Sequence, residues 1–296
     1  MSDNYRKNCY KKILDASSVY DIAIKSPMQF APKLSSKLKN KIYIKREDLQ
    51  PVFSFKLRGA YNKISKIKNP KHIIAASAGN HAQGVAIAAK KLQIHATIVM
   101  PVTTPRIKVD AVQAYGAEVV LFGDDYNSAA AYAEQLSEKE KSVFVHPFDD
   151  RDVIVGQGTI GMEIHRQIAQ PLDAIFIAVG GGGLCAGIAA YLSTMRPETK
   201  IIAVESDDAA CLAAAIEAGH PVRLPEVGIF ADGTAVAEIG NHTWDILKDL
   251  VHEVIAVTTD EICAAIKDTF NDTRAICEPC LLYTSDAADE EDSVDL

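Results

Sequence analysis

From His72 to Glu205 the chain alternates between short apolar runs and alanine-rich stretches, and this alternation limits the possible folds more than any other feature. His72-Ile73-Ile74-Ala75-Ala76 reads as a strand and His81–Leu92 as a helix. Thr97–Met100 is a strand ended by Pro101, and Ile107–Tyr115 a helix stopped by Gly116. Glu118–Phe122 and Ser142–Val145 are strands on either side of the helix Tyr126–Glu140. Later come the strand Ala174–Val179, the helix Leu184–Met195 and the strand Lys200–Glu205. Strands this apolar have no polar face to give to water, so helices must cover both sides. The order predicts an α/β chain of βαβ units around a parallel sheet. Residues 72–146 suffice for a small lobe, with 1–71 and 147–279 forming a large one. A crevice between two such lobes is where a ligand is expected.

The rest of the sequence excludes several classes. The net charge of −8 argues against wholesale nucleic-acid binding. Six acidic residues and no Lys or Arg fall within 280–296, which leaves 33 acidic against 31 basic residues in the body. The N-terminus is polar without an apolar signal-peptide core, and no run of about 18 apolar residues offers a membrane span. Six scattered cysteines suit reduced thiols in a cytoplasmic protein. Cys277-Glu278-Pro279-Cys280 has the CxxC form but no second pair for zinc.

Three motifs carry chemistry. In Ser54-Phe55-Lys56-Leu57-Arg58-Gly59 a lysine follows an aromatic residue, just after the strand-like run Lys41–Asp48. Partial burial beside Phe55 and Leu57 would lower its pKa, and an unprotonated amine can form a Schiff base with a carbonyl. Such a lysine can equally be a surface residue whose stem packs on the ring. Ser77-Ala78-Gly79-Asn80-His81-Ala82-Gln83-Gly84 joins a strand to a helix, so its backbone amides would sit at a helix N-terminus, suited to a carboxylate or phosphate. A capped turn is the alternative. Gly180-Gly181-Gly182-Gly183-Leu184 again links strand to helix, as expected where backbone closes around a phosphate; a flexible turn is the plainer alternative. A rival remains, because Gly181, Gly183 and Ala186 also fit the dinucleotide pattern GxGxxA, with Glu205 as a ribose-binding acid.

Taken together and in this order, the three motifs resemble the fold-type II pyridoxal-phosphate enzymes, and among them the biosynthetic threonine dehydratases. The resemblance covers most of residues 15–279. It includes Lys45-Arg46-Glu47-Asp48-Leu49-Gln50-Pro51, Ile107-Lys108-Val109-Asp110-Ala111, Gly156-Gln157-Gly158-Thr159 and Gly219-His220-Pro221-Val222. It implies the two-lobed, three-layer parallel-sheet architecture of that family and pyridoxal 5'-phosphate as cofactor. Lys56 would hold the cofactor covalently, with Phe55 beside the ring and Asn80 bonded to the phenolic oxygen. Gly180, Gly181, Gly182, Gly183 and Leu184 would cradle the phosphate. Ser77, Ala78, Gly79, Asn80 and His81 would take the substrate carboxylate. The implied reaction converts L-threonine to 2-oxobutanoate and ammonia, the first step of isoleucine biosynthesis, with L-serine as secondary substrate. Lys56 would move the α-proton. The complete protein would form a homo-oligomer.

Departures from the family sharpen these expectations. Related racemases carry a second serine where this chain has Ala78, so elimination is expected over racemisation. Some relatives bind a divalent cation near an acid matching Glu205, with an Asp six residues on. Cys211 stands there in this chain, so no metal site is expected, and Ser206, Asp207 and Asp208 read as a solvated turn. After Glu278-Pro279 the family pattern stops. Residues 280–296 read as a non-native acidic tail, with the pyridine-nitrogen serine and the regulatory domain absent. The alternatives are a genuine acidic tail, and a fragment that binds the cofactor at most.

Overall fold

The computed structural model describes residues 2–276, 278 and 279; the expectations placed on the CxxC pair and on 280–296 lie outside the described residues. The helices and strands, in chain order, are α1 (Ser2–Leu14), β1 (Met28–Phe30), α2 (Pro32–Lys37), β2 (Tyr43–Lys45), α3 (Lys56–Ile64), β3 (His72–Ala76), α4 (Asn80–Leu92), β4 (His95–Met100), α5 (Arg106–Ala114) and β5 (Glu118–Leu121). There follow α6 (Tyr126–Glu140), β6 (Val143–Phe144), α7 (Arg151–Gln167), β7 (Ala174–Ala178), α8 (Gly183–Met195), β8 (Lys200–Ser206), α9 (Cys211–Ala218), α10 (Asn241–Leu247), β9 (Glu253–Val257) and α11 (Thr259–Thr273). The expected βαβ alternation is present, each predicted element lying within two residues of its observed bounds. Of the strand-like run 41–48, only Tyr43–Lys45 pairs, antiparallel with β1.

The chain forms two compact units. One comprises residues 12–26 and 47–159, the other the described parts of 1–11, 27–46 and 160–296. In the first, four parallel strands lie in the order β5-β4-β3-β6. Successive side chains of β3 enter different cores. Ile73 and Ala75 join Ile64, Val85, Ala89, Ile98 and Met100, whereas Ile74 and Ala76 join Val99, Ala129 and Ala133. The period-two alternation therefore buries both faces, which is why the strand reads as an unbroken apolar run.

This unit extends past 72–146 at both ends because α3 and the start of α7 pack into it. The contacts are close enough to need glycine. A Cβ on Gly156 would lie 2.5 Å from the Arg58 carbonyl oxygen and 2.6 Å from the Gly59 Cα, and one on Gly59 would lie 2.5 Å from the Gln157 amide nitrogen. On the α4 side, a Cβ on Gly84 would lie 3.0 Å from the Leu57 nitrogen and the Lys56 carbonyl carbon.

In the second unit β7, β8 and β9 form a parallel sheet with β8 central. Ile202, Val204, Ile255, Val257 and Ile262 form its core. α11 opens with a capping box, Thr258 and Glu261 satisfying each other's main-chain amides. At its far end the Asp272 carboxylate accepts from the Lys33 and Leu34 amides at 2.9 and 2.8 Å, tying α11 to the first turn of α2.

Candidate active site

The two units carry different parts of the expected site. In the first, Lys56 opens α3 and is half-buried, its Nζ 5.3 Å from the centre of the Phe55 ring. The turn is fixed two residues on by Arg58, which is fully buried. Its Nε and Nη2 donate to the two Glu47 carboxylate oxygens, each at 2.8 Å. Nη1 donates to Thr159 Oγ1 at 3.1 Å and Nη2 to the Ile24 carbonyl at 3.0 Å. Ser26 Oγ and Gln50 Nε2 donate to the same carboxylate. A two-point guanidinium–carboxylate pair has little angular freedom, so the first turn of α3 is fixed from within.

Ser77 follows β3, and its amide donates to the Val99 carbonyl at 3.2 Å. Its hydroxyl accepts from the Gly79 amide at 3.2 Å. Gly79 is the N-cap of α4 and supplies no side-chain cap bond, so the capped-turn alternative holds in part, through the Ser77 hydroxyl that takes the Gly79 amide. Ser77, Ala78, Gly79 and Asn80 are half-exposed. His81 differs, because its side chain is 3% exposed and its Nε2 lies 2.9 Å from the Val145 carbonyl oxygen. Burial pushes its pKa down to about 3, the Val145 bond opposing and the Lys56 and His146 charges adding to the fall. The imidazole is therefore neutral and committed to Val145, which leaves His81 only a main-chain part in the turn.

In the second unit the glycine loop joins β7 to α8. Gly181, Gly182 and Gly183 are buried, and Gly182 sits at φ +87°, a left-handed conformation that disfavours a side chain. A Cβ on Gly180 would meet the Thr234 Cα at 2.9 Å. Gly182 caps α8 with no side-chain bond, leaving first-turn amides for an external acceptor. Two side chains hold the loop carbonyls. Cys211 Sγ donates to Gly180 O at 3.4 Å, and Thr243 Oγ1 lies 2.9 Å from Gly181 O.

Glu205 is fully buried beneath this loop's unit, and its carboxylate accepts from the Leu212 and Ala213 amides at 2.8 and 2.9 Å. It caps α9 across space, because Ala210 at the head of that helix cannot. Glu205 stands near the end of β8, but its carboxylate is committed to α9, and the dinucleotide reading loses its ribose-binding acid. Ser206 is buried and donates to Asp208 at 2.5 Å, so only Asp207 and Asp208 of the expected solvated turn are exposed. Burial first, and then the Glu205 charge, raise the Cys211 thiol well above its ordinary pKa, which keeps it a donor. No group of three metal-ligating side chains occurs among the described residues.

Burial pushes the Glu205 pKa from 4.5 up to about 7, against the pull of the Leu212 and Ala213 amides. Between those values the folded chain keeps a proton that the unfolded chain releases. The stabilising contribution is thus complete below pH 4.5 and is lost as pH rises through about 7. Relative to wild type, Glu205→Gln is expected to gain on the order of 3 kcal/mol between pH 4.5 and 8. Urea unfolding of both proteins at the two pH values checks this; a pH-independent difference refutes it.

These features have counterparts in known proteins. Residues 19–284 match the family of pyridoxal-phosphate dependent enzymes. The chain is 52% identical to a biosynthetic L-threonine dehydratase of Burkholderia multivorans over 91% of this chain and 54% of that protein. It is 57% identical to the chloroplastic biosynthetic threonine dehydratase of Arabidopsis thaliana, over 89% of this chain and 45% of that protein. It therefore spans about half the length of the curated relatives it matches. The solved structure of the processed form of threonine deaminase isoform 2 from Solanum lycopersicum superposes with a TM-score of 0.95 at 48% identity, covering 100% of this chain and 87% of that one. With its lysine at the head of α3, its glycine loop at the head of α8 and these likenesses over nearly its whole length, the chain belongs to the pyridoxal-phosphate dependent enzymes, in the company of the threonine dehydratases.

Proposed function

We propose that this chain converts L-threonine to 2-oxobutanoate and ammonia, with L-serine as a slower substrate. The carrying observation is the 52% and 57% identity to biosynthetic threonine dehydratases. The residues fit the cofactor. Lys56 offers an amine beside an aromatic ring, and the loop at 180–184 offers amides with no side chain in their way up to Leu184. Lys56 would hold pyridoxal phosphate covalently, Asn80 would bond its phenolic oxygen, and Gly180 to Leu184 would hold its phosphate. Bound there, the cofactor supplies an electron sink for the charge left when the α-proton departs.

The chain's own groups do the rest. The turn from Ser77 to His81 would orient the substrate carboxylate through the first-turn amides of α4, since the Ser77 and Gly79 amides already serve Val99 O and the Ser77 hydroxyl. Lys56, the residue that would hold the cofactor, would also take the proton from Cα. The proton lost from Cα balances the one the β-hydroxyl needs to leave as water, and the released enamine would take up water to give the keto acid and ammonia. Ala78 offers no acid or base on the opposite face, which supports elimination over inversion at Cα. Selection between threonine and serine rests on one methyl group, so a preference of about 10- to 100-fold is expected.

The buried thiols Cys9, Cys185 and Cys211 are unlinked, as suits a cytoplasmic protein. No helix among the described residues is long and apolar enough to cross a membrane. The small-molecule substrate needs neither nucleic acid nor bilayer, and a homo-oligomer is the expected assembly of the complete protein.

The test is the yield of 2-oxobutanoate and ammonia from L-threonine and L-serine by the purified chain with pyridoxal phosphate. Equimolar products, faster from threonine, support the reading. Cofactor colour without turnover reduces the chain to a binding fragment, and a racemised substrate without keto acid overturns elimination.

A further inference from the structure

The glycine loop is aimed from behind. A trans peptide is planar, with its C=O and N–H pointing in opposite directions. Fixing the Gly181 carbonyl therefore fixes where the Gly182 amide points, and fixing the Gly180 carbonyl does the same for the Gly181 amide. Thr243 is fully buried and lies against the loop. A Cβ on Gly182 would meet Ile239 Cδ1 at 2.7 Å, and Leu247 Cδ1 and Thr243 Cβ at 3.0 Å.

The Thr243 hydroxyl lies 2.9 Å from Gly181 O and 2.8 Å from Gly240 O, and has one hydrogen to give. Gly240 O already accepts the Trp244 amide at 2.8 Å. Among the described residues, Gly181 O has from the backbone only the long 3.4 Å contact of the Gly240 amide. Donation to Gly181 O thus leaves both carbonyls served, whereas donation to Gly240 O leaves a buried carbonyl with one poor partner, which is costly.

We propose that Thr243 is a positioning residue for anion binding, its hydroxyl turning the Gly181–Gly182 peptide so that the Gly182 amide faces the cofactor phosphate. The inference rests on the reading that this loop holds the phosphate, and adds that affinity for the phosphate is set by a side chain that never touches it.

The experiment compares pyridoxal phosphate with pyridoxal, which has the same reactive carbonyl and no phosphate. Each is titrated into the full chain, binding being read from the visible absorbance of the Lys56-linked form. Thr243→Val, which keeps the shape and removes the donor, is expected to weaken pyridoxal phosphate about 10- to 100-fold. Pyridoxal binding should change less than about twofold, and Thr243→Ser should restore the phosphate-dependent increment. Should Thr243→Val not fold, Thr243→Cys, with its weak donor, must show the same phosphate-specific loss. Equal losses for both ligands make Thr243 a structural residue and overturn the proposal, as does an unchanged affinity for pyridoxal phosphate. Wild-type chain that binds the two ligands equally refutes the phosphate loop itself, a failure visible before any variant is made.

Discussion

Lys56→Ala is expected to lower threonine turnover by about 10²- to 10⁴-fold, the range that a positioned proton-transfer group contributes, while the chain stays folded. On the proposed reading two functions would go with the amine, the covalent hold on the cofactor and the base that takes the α-proton. Little stability goes with it. Lys56 is half-buried at the first position of α3, and alanine is the better helix former. Melting temperature and circular dichroism should match wild type. A small primary amine added to the buffer should recover part of the lost rate, since it replaces the base and not the tether. Turnover within tenfold of wild type, insensitive to added amine, would remove Lys56 from the chemistry.

Glu47→Ala is expected to cost about 3–5 kcal/mol of stability, because it takes from the fully buried Arg58 guanidinium the carboxylate it meets at two points. The Arg58 bonds to Thr159 and Ile24 remain, but neither carries charge. Replacing both partners, Glu47→Leu with Arg58→Met, should cost less than the single change, since no stranded charge is then left. Urea unfolding of the single and double variants measures the difference. A double variant less stable than Glu47→Ala would show that the pair contributes more than its removal of a stranded charge.

The strands β3, β4 and β8 could be read from sequence because burial on both faces leaves unbroken apolar runs, as in Ile73 to Ala76, whereas β9, with Glu253 and Ala256 exposed, left no such run and was not predicted. α7 left none. Gly156, Gly158 and Gly161 interrupt Arg151–Gln167, and glycine opposes helix by about 1 kcal/mol each. Those residues are helical because packing requires it, and at Gly156 the reason is the backbone of α3, which no local pattern contains. α11 did carry a local signal in Thr258 and Glu261, three residues apart.

At the site, Lys56, the turn at Ser77 and the glycine loop were each ambiguous alone and became candidates through the resemblance the three carry together. Their supports did not. Glu47 meets Arg58 from a short turn eleven residues away, and Thr243 reaches Gly181 across sixty-two, spacings with no period to detect. Glu205 was legible as an acid but not as a cap. The clue was negative, because Cys211–Ala218 begins after Ala210 with no Ser, Thr, Asp or Asn to satisfy its first amides.

The closeness of α3 to its neighbours also limits what can be rebuilt around Lys56. Behind this helix, at Gly84 and Gly156, stand glycines set against main chain. Main chain has no rotamers to rearrange and no methyl to trim, so that wall can neither be enlarged nor relaxed by exchanging side chains. On the proposed reading, anyone reshaping the chain for a bulkier amino acid would work at Ala78 or the half-exposed turn beside it, and would leave the helix that carries the lysine as a fixed post.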